Sequence, residues 1–332
     1  MPAYVNFPHD HDLYAGNHWS EGLKDGTLDG ADVVLVLDCD VPWIKSVFRA
    51  PEKAKVYHID TDALKIQMSL FHLPTELSCS VNALVALKQL NAYIAGSKLA
   101  SHSSAIQQRT ATIKARHDAY IKHVMSLEAF PANDDVITPH YVLSRLRDLT
   151  PADALFLSEG ISNYRPVADV LRRNEPGTYF TSGATSLGWH GGAAIGAKLA
   201  NPSKTVVAIT GDGSFLFSIP STVHWMSRRY DAPFLTVILN NRGWKSPMLS
   251  TMACHKEGWS SQLSTDDLHV TFDPPPDHAG VAVAAGAGWG ATVKKASDVD
   301  EAIKKGLETV RNGRSAVLDV YLPKIVTGDR VG

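Results

Sequence analysis

The chemistry available to this chain is concentrated at Asp212 and Asn241. Each follows an apolar, β-branched run of the kind that makes a buried parallel strand: residues 206–210 stop at Gly211-Asp212-Gly213-Ser214, and residues 234–239 stop at Asn240-Asn241. A carboxylate and an amide oxygen are hard ligands suited to Mg²⁺. Gly213 has no side chain to keep backbone amides away from phosphate oxygens, and a helix N-terminus placed directly after it favours an anion. Together these residues describe a divalent cation holding a diphosphate. A Gly-Asp-Gly alone is most often an ordinary turn; the weight comes from both strands, the helix between them and the asparagine pair falling in register.

That register calls for one crossover. Residues 214–239 provide a helix and the next strand, with Pro220 expected in the first helical turn and Arg228 and Arg229 near the helix end, where cations suit the dipole. Such a crossover is right-handed. It brings the acid and the amide to the carboxyl ends of neighbouring strands, the edge at which open α/β sheets bind ligands.

The totals exclude several other functions. At 332 residues, 44% hydrophobic and 20% charged, the chain has the composition of one large or two medium soluble domains. A net charge of -2, with no basic run, gives no footprint for nucleic acid. No apolar stretch reaches the roughly 18 residues of a membrane helix. The N-terminus has neither a signal nor a transit pattern, so a cytoplasmic location is expected. Cys39, Cys79 and Cys254 are too scattered for a disulfide framework or a zinc site. No internal repeat is present.

The Gly-Asp-Gly-Ser and Asn-Asn pair resembles the cofactor motif of thiamine-diphosphate enzymes, and the surrounding chain is similar to the acetolactate synthase and benzoylformate decarboxylase group. The other residues carrying the resemblance are SGATSLGWHGGAAIGAKLANP at 182–202 and, much earlier, YVNFPHDHDLYAG and ADVVLVLDCDVPW. It covers nearly the whole chain. It implies an α/β fold in which a doubly wound parallel-sheet diphosphate-binding domain, residues 136–332, follows a partial Rossmann-like central domain, residues 1–100. Residues 101–135 then form a linker and a bridging helix. The implied cofactors are thiamine diphosphate and Mg²⁺. Asp212, Asn241 and the main-chain carbonyl of Gly243 would bind the metal, and Gly213 and Ser214, with Gly211 in the same turn, would meet the diphosphate. Leu187 would be the wedge that bends the cofactor, and Thr185 would supply a main-chain contact to its aminopyrimidine.

In chain order, residues 1–30 are loop-like, and His9 and His11 fit a solvated turn better than a ligand set. Residues 33–38 and 55–60 are short strands. Asp60 and Asp62 end the second as a ribose-holding acid would, but without a glycine-rich turn before them a structural role is favoured. Residues 82–95 form an amphipathic helix bearing Leu84, Leu87 and Leu90. Residues 98–110 are serine-rich and polar, a linker by composition. Thr138-Pro139 opens a helix, and a strand over 154–158 leads to Glu159. Glu159 admits two readings: a contact to cofactor or substrate, or a cap for the next helix or partner for Arg165. Residues 188–200 are a helix of small residues whose glycines, at about 1 kcal/mol each, imply close packing. His190 in that helix would be a substrate-facing acid–base group or, more commonly for such a residue, a buried hydrogen-bonded one. Residues 245–276 lack periodicity and suggest a lid over the cofactor, lined by His255 and Trp259. Helices over 278–286 and 300–310 and a final strand over 316–322 complete the chain.

The resemblance implies an acetolactate-synthase-like enzyme that decarboxylates a 2-oxo acid and ligates the resulting enamine to a second carbonyl. A benzoylformate-decarboxylase-like activity and an inert cofactor-binding or assembly subunit are the alternatives. In this group the activating glutamate lies in a pyrimidine-binding domain, which no segment here resembles. The chain is therefore expected to be incomplete alone, acting as a homo-oligomer or with a partner chain that supplies that domain.

Overall fold

Short β-branched runs build two separate parallel sheets in a computed structural model that describes residues 4–16, 28–43, 50–68, 73–97, 103–182 and 186–325. One compact unit is built on His11–Tyr120; the other is built on Ile121–Gly332 together with Ala3–Asp10.

In the first unit, strands β1 (Val33–Leu37), β2 (Lys55–Asp60) and β3 (Leu77–Ser80) lie parallel in that order. Helix α1 (Ala83–Gly96) starts at Asn82, whose side chain accepts the Val85 amide at 3.2 Å. Its inward residues are Ala83 and Ala86, while Leu84, Leu87 and Leu90 are exposed. The carboxylate of buried Asp60 accepts Lys65 Nζ at 2.7 Å and the Asp62 amide at 2.8 Å. It therefore locks the turn that follows its own strand, which is the structural reading. Strand β3, Leu-Ser-Cys-Ser, has too little apolar alternation to stand out in the sequence.

Helix α2 (Ser103–Leu127) corrects the expected linker, since it begins within the serine-rich stretch. Ala105, Gln107, Gln108 and Arg109 are good helix formers and neither proline nor glycine interrupts them, so composition misled where propensity did not.

The second unit is a six-stranded, all-parallel sheet: β4 (Leu155–Glu159), β5 (Tyr179–Thr181), β6 (Val206–Gly211), β7 (Leu235–Asn240), β8 (Trp289–Val293) and β9 (Ala316–Tyr321), in the order β5-β4-β6-β7-β9-β8. From β4 the chain winds outward to β5, then returns to the other side of β4 as β6. The winding direction thus switches between β4 and β6, where Glu159 pairs in register with Thr210. Strands β6 and β7 are buried almost throughout, as their continuous apolar runs require. Helices α3 (Pro139–Leu149), α4 (Tyr164–Leu171), α5 (Trp189–Ala200), α9 (His278–Ala285) and α10 (Val299–Arg311) connect or follow the strands, with Thr138 capping α3 through the Tyr141 amide at 3.2 Å.

The crossover between β6 and β7 is two helices, not the single one expected: α6 (Asp212–Phe217) and α7 (Pro220–Arg229). Ile219 between them takes φ 55, and Pro220 begins the second helix. Proline has no amide to donate and its ring clashes with a preceding turn, so it opens a new helix better than it continues an old one. Residues 245–276 contain α8 (Lys245–Cys254) and a short helical turn, Trp259–Gln262. Trp259 is 90% exposed and His255 is exposed as well. His9 is buried rather than solvated, and desolvation pushes it down to about 4. Among the described residues no cluster of three His, Cys, Asp or Glu side chains suits a metal, and no helix is long and apolar enough to cross a membrane.

Candidate active site

Strand β6 ends at Gly211, opposite Leu239 of β7, so Asp212 and the Asn240-Asn241 pair emerge side by side from the carboxyl edge of the sheet. Asp212 is the first residue of α6. Its Oδ1 accepts the Gly213 amide at 2.9 Å and its Oδ2 accepts the Gly243 amide at 2.8 Å. Burial pushes this carboxyl up to about 6, against the downward pull of those two amides. A cation beside it would reverse the balance.

Asn240 is occupied within the fold. Its Nδ2 donates to Asp319 Oδ1 at 2.7 Å, and its Oδ1 accepts the Arg242 amide at 2.9 Å. Asn241 differs, since its Oδ1 is buried and has no hydrogen-bond partner. A buried acceptor without a donor is uncommon and calls for an electropositive neighbour. With the Asp212 carboxylate on the adjoining strand end, the donor set is two hard oxygens, which fits Mg²⁺. Gly243, the third expected ligand, gives its amide to Asp212, while its carbonyl accepts the Lys245 amide at 3.1 Å. Its loop is pinned by an antiparallel bridge to Thr271, by Trp244 N–H donating to the Val270 carbonyl at 2.7 Å and by Phe272 N–H donating to Arg242 at 2.9 Å.

Gly213 is required here for a reason the sequence did not show. A Cβ on it would lie 2.2 Å from the six-membered ring of Trp244, which packs edge-on against Phe217 and Phe272. The close approach anticipated for a phosphate is used here by an indole. Ser214 is buried in the first turn of α6.

Glu159 sits at the switch point and is 0% exposed. Its Oε1 accepts the Gly188 amide at 2.6 Å, and its Oε2 accepts both the His190 amide at 2.7 Å and His190 Nδ1 at 2.9 Å. The carboxylate therefore caps α5, a helix distant in sequence, and not the helix that follows its own strand. Arg165 is paired with Asp169 at 3.4 Å. His190 is buried, lies 3.2 Å from Thr210 Oγ1 and stacks on Phe215 with ring centroids 6.1 Å apart. Glu159 and His190 thus form a support beneath the turn that carries Leu187, which is half-buried. Gly188 in that turn has φ 89, and a Cβ there would meet the Phe217 carbonyl at 2.6 Å. Thr185 lies outside the described residues.

Two participants escaped the sequence reading. Asp319 is buried in β9 and held at Asn240; burial pushes it up to about 7, with the Asn240 bond opposing and the Asp212 charge adding. Its signal was available, because an acid in the apolar run Ala-Val-Leu-Asp-Val-Tyr-Leu needs a buried partner. Trp244 carried no signal, since its contact with Gly213 depends on the fold of the loop.

Residues 160–320 match the family described as thiamine pyrophosphate enzyme, C-terminal TPP binding domain. Sulfoacetaldehyde acetyltransferase of Castellaniella defragrans is 25% identical over 94% of this chain and 53% of its own length. Benzoylformate decarboxylase of Pseudomonas aeruginosa is 36% identical over 32% of this chain and 20% of its own length. Acetolactate synthase 1, chloroplastic, of Oryza sativa subsp. japonica is 27% identical over 96% of this chain and 48% of its own length. Among solved structures, the thiamine diphosphate-dependent 4-hydroxybenzoylformate decarboxylase of Rhodococcus jostii superposes with a TM-score of 0.70 at 18% identity, over 98% of this chain and 55% of that one. The chain thus spans about half the length, or less, of the curated relatives it matches. The turn at Asp212, the asparagine pair and the helix capped by Glu159 all fall within the matched segment, so that segment is similar to the C-terminal cofactor-binding domain of thiamine pyrophosphate enzymes, with acetolactate synthases and benzoylformate decarboxylases among the similar proteins.

Proposed function

We propose that this chain is a cytosolic, thiamine-diphosphate- and Mg²⁺-dependent enzyme chain of the acetolactate synthase type, which decarboxylates a 2-oxo acid and joins the remaining fragment to a second carbonyl. The observation that carries the metal assignment is the unpartnered Asn241 Oδ1 on the strand end beside the buried Asp212 carboxylate. Asp212 and Asn241 would hold Mg²⁺ together with the Gly243 carbonyl once Lys245 releases it. Gly211, Gly213 and Ser214 would line the diphosphate. Leu187, on the turn held by Glu159, would support the cofactor rings, with Thr185 as their main-chain contact. When bound, thiamine diphosphate supplies the nucleophilic carbon and the electron sink for loss of carbon dioxide. The protein's part is to fix that group, exclude water and neutralise its diphosphate.

Calorimetric titration with thiamine diphosphate tests the assignment. Wild-type protein is expected to bind more tightly in Mg²⁺ than in chelator, and Asp212→Ala to abolish the difference. Equal Mg²⁺ dependence in the variant would overturn it. The benzoylformate decarboxylase type is the second reading, favoured by the 36% identity to that enzyme over 105 residues. Product analysis with pyruvate, in the presence of a chain supplying the pyrimidine-binding domain, separates them: a ligated hydroxy-keto acid supports the first, free aldehyde the second.

A further inference from the structure

Three neighbouring strands, β7, β9 and β8, end together at the carboxyl edge of the second sheet, with Asn240 opposite Tyr321 and Val293 opposite Val320. The residues just beyond these ends are Arg242 and Lys294. Between them lies a hollow of about 290 Å³, at the small end of the range for ligand pockets. Both cations lean on one ring: the Arg242 guanidinium carbon is 5.5 Å from the Tyr321 centroid and Lys294 Nζ is 5.1 Å from it.

Two like charges sharing one aromatic ring repel each other, and the ring compensates only in part. Among the described residues neither side chain forms an ion pair within 4.0 Å. Arg242 Nε is moreover buried and has no acceptor. The lining itself holds two cations and one carboxylate, Asp135, with Asp319 and Asp277 behind Tyr321, and Val136 and Leu322 supply apolar wall. The backbone of Arg242, at φ 59, puts its side chain into this hollow, while the amide of the next residue serves Asp212.

We propose that this hollow is a binding site for a small organic anion, a carboxylate or a phosphate ester, with its charged head between Arg242 and Lys294 and its apolar body against Val136 and Leu322. A planar guanidinium with a free N–H, set beside an ammonium, suits either head group. The hollow adjoins the Asp212 turn through the backbone of Arg242, but neither Asp212, Asn241 nor Gly243 lines it, and the proposal does not depend on the cofactor assignment.

Phenyl phosphate and benzoate, titrated calorimetrically into the full chain, are the probes. At least one is expected to bind, and the tighter of the two identifies the head group. Lys294→Gln is expected to weaken it about tenfold, the equivalent of one charge-assisted hydrogen bond, and Arg242→Gln to do at least as much. Lys294 is exposed, so its variant retains the fold. Unchanged affinity in Lys294→Gln would overturn the proposal, because it would place the anion elsewhere, for instance at Gly213 and Ser214. Absence of binding by both probes would overturn it equally.

Discussion

Glu159 and His190 are joined twice through one oxygen: Glu159 Oε2 accepts the backbone amide of His190 at 2.7 Å and its ring Nδ1 at 2.9 Å. A strand end and a helix start are thereby held by a single side chain, with Gly188 on the other oxygen. Glu159→Ala would leave the buried His190 amide and the part-buried Gly188 amide unpaired. The expected loss is about 3 kcal/mol of stability, measured by urea unfolding, with Glu159→Gln losing less because it keeps one acceptor. A loss within experimental error for the alanine variant would show that the carboxylate is dispensable to the cap.

The contact between Gly213 and Trp244 predicts a paired effect. Gly213→Ala places a methyl within the indole and should cost about 1–3 kcal/mol. Trp244→Leu removes the obstructing ring, so the double variant should be less destabilised than the sum of the singles. Strict additivity in the double-mutant cycle would mean that the two residues do not meet.

Acid sensitivity should come from the histidines around Phe215. Burial pushes His224 and His278 down to about 4, and neither ring nitrogen of either residue has a partner. Both stay neutral in the folded chain where an unfolded chain would bind protons. Stability is therefore full above about pH 6.5 and falls as the pH drops towards 4, by at most about 3 kcal/mol for each residue. Denaturant midpoints measured from pH 7 to 4 should decline, and His278→Leu should flatten the decline. An identical slope in the variant would assign the effect elsewhere.

Asp212 titrates in the opposite sense. Its folded value, raised to about 6, means that the buried charge costs stability as the pH rises above the ordinary carboxylate range. A metal needs that charge, so Mg²⁺ affinity should increase as the pH passes upward through about 6 and level off above it. Mg²⁺ titrations at pH 5 and pH 7 are expected to differ by roughly tenfold. Equal affinities would remove Asp212 from the ligand set.

The parallel sheet of the second unit was legible because β6 and β7 are continuous apolar runs ended by polar pairs, a pattern that few other structures satisfy. The positions of Asp212 and Asn241 followed from it. Strand β8 was not legible, since Trp-Gly-Ala-Thr-Val is an edge strand with a glycine inside it and only Val293 buried. The partner of Glu159 was hidden for another reason. Strand–helix pairing across the switch point joins residues far apart in sequence, so spacing alone favoured the helix next in line. Gly213 shows the converse: a glycine was expected there to admit a phosphate, whereas the atoms that exclude a side chain in this fold belong to a tryptophan whose position depends on the loop.

The break at Ile219 and Pro220 divides the crossover into mechanically separate pieces. Helix α7 is bracketed by two left-handed residues, Ile219 at φ 55 and Asp231 at φ 48, each a joint where the chain changes direction. A shift of α7 is taken up at the first joint before it reaches α6. The six residues that start with Asp212 are instead set by the strand ends and by Trp244. The crossover can therefore drift in length and orientation among related chains while the turn beneath it keeps its geometry, much as a bracket holds its alignment when the arm bolted to it is replaced.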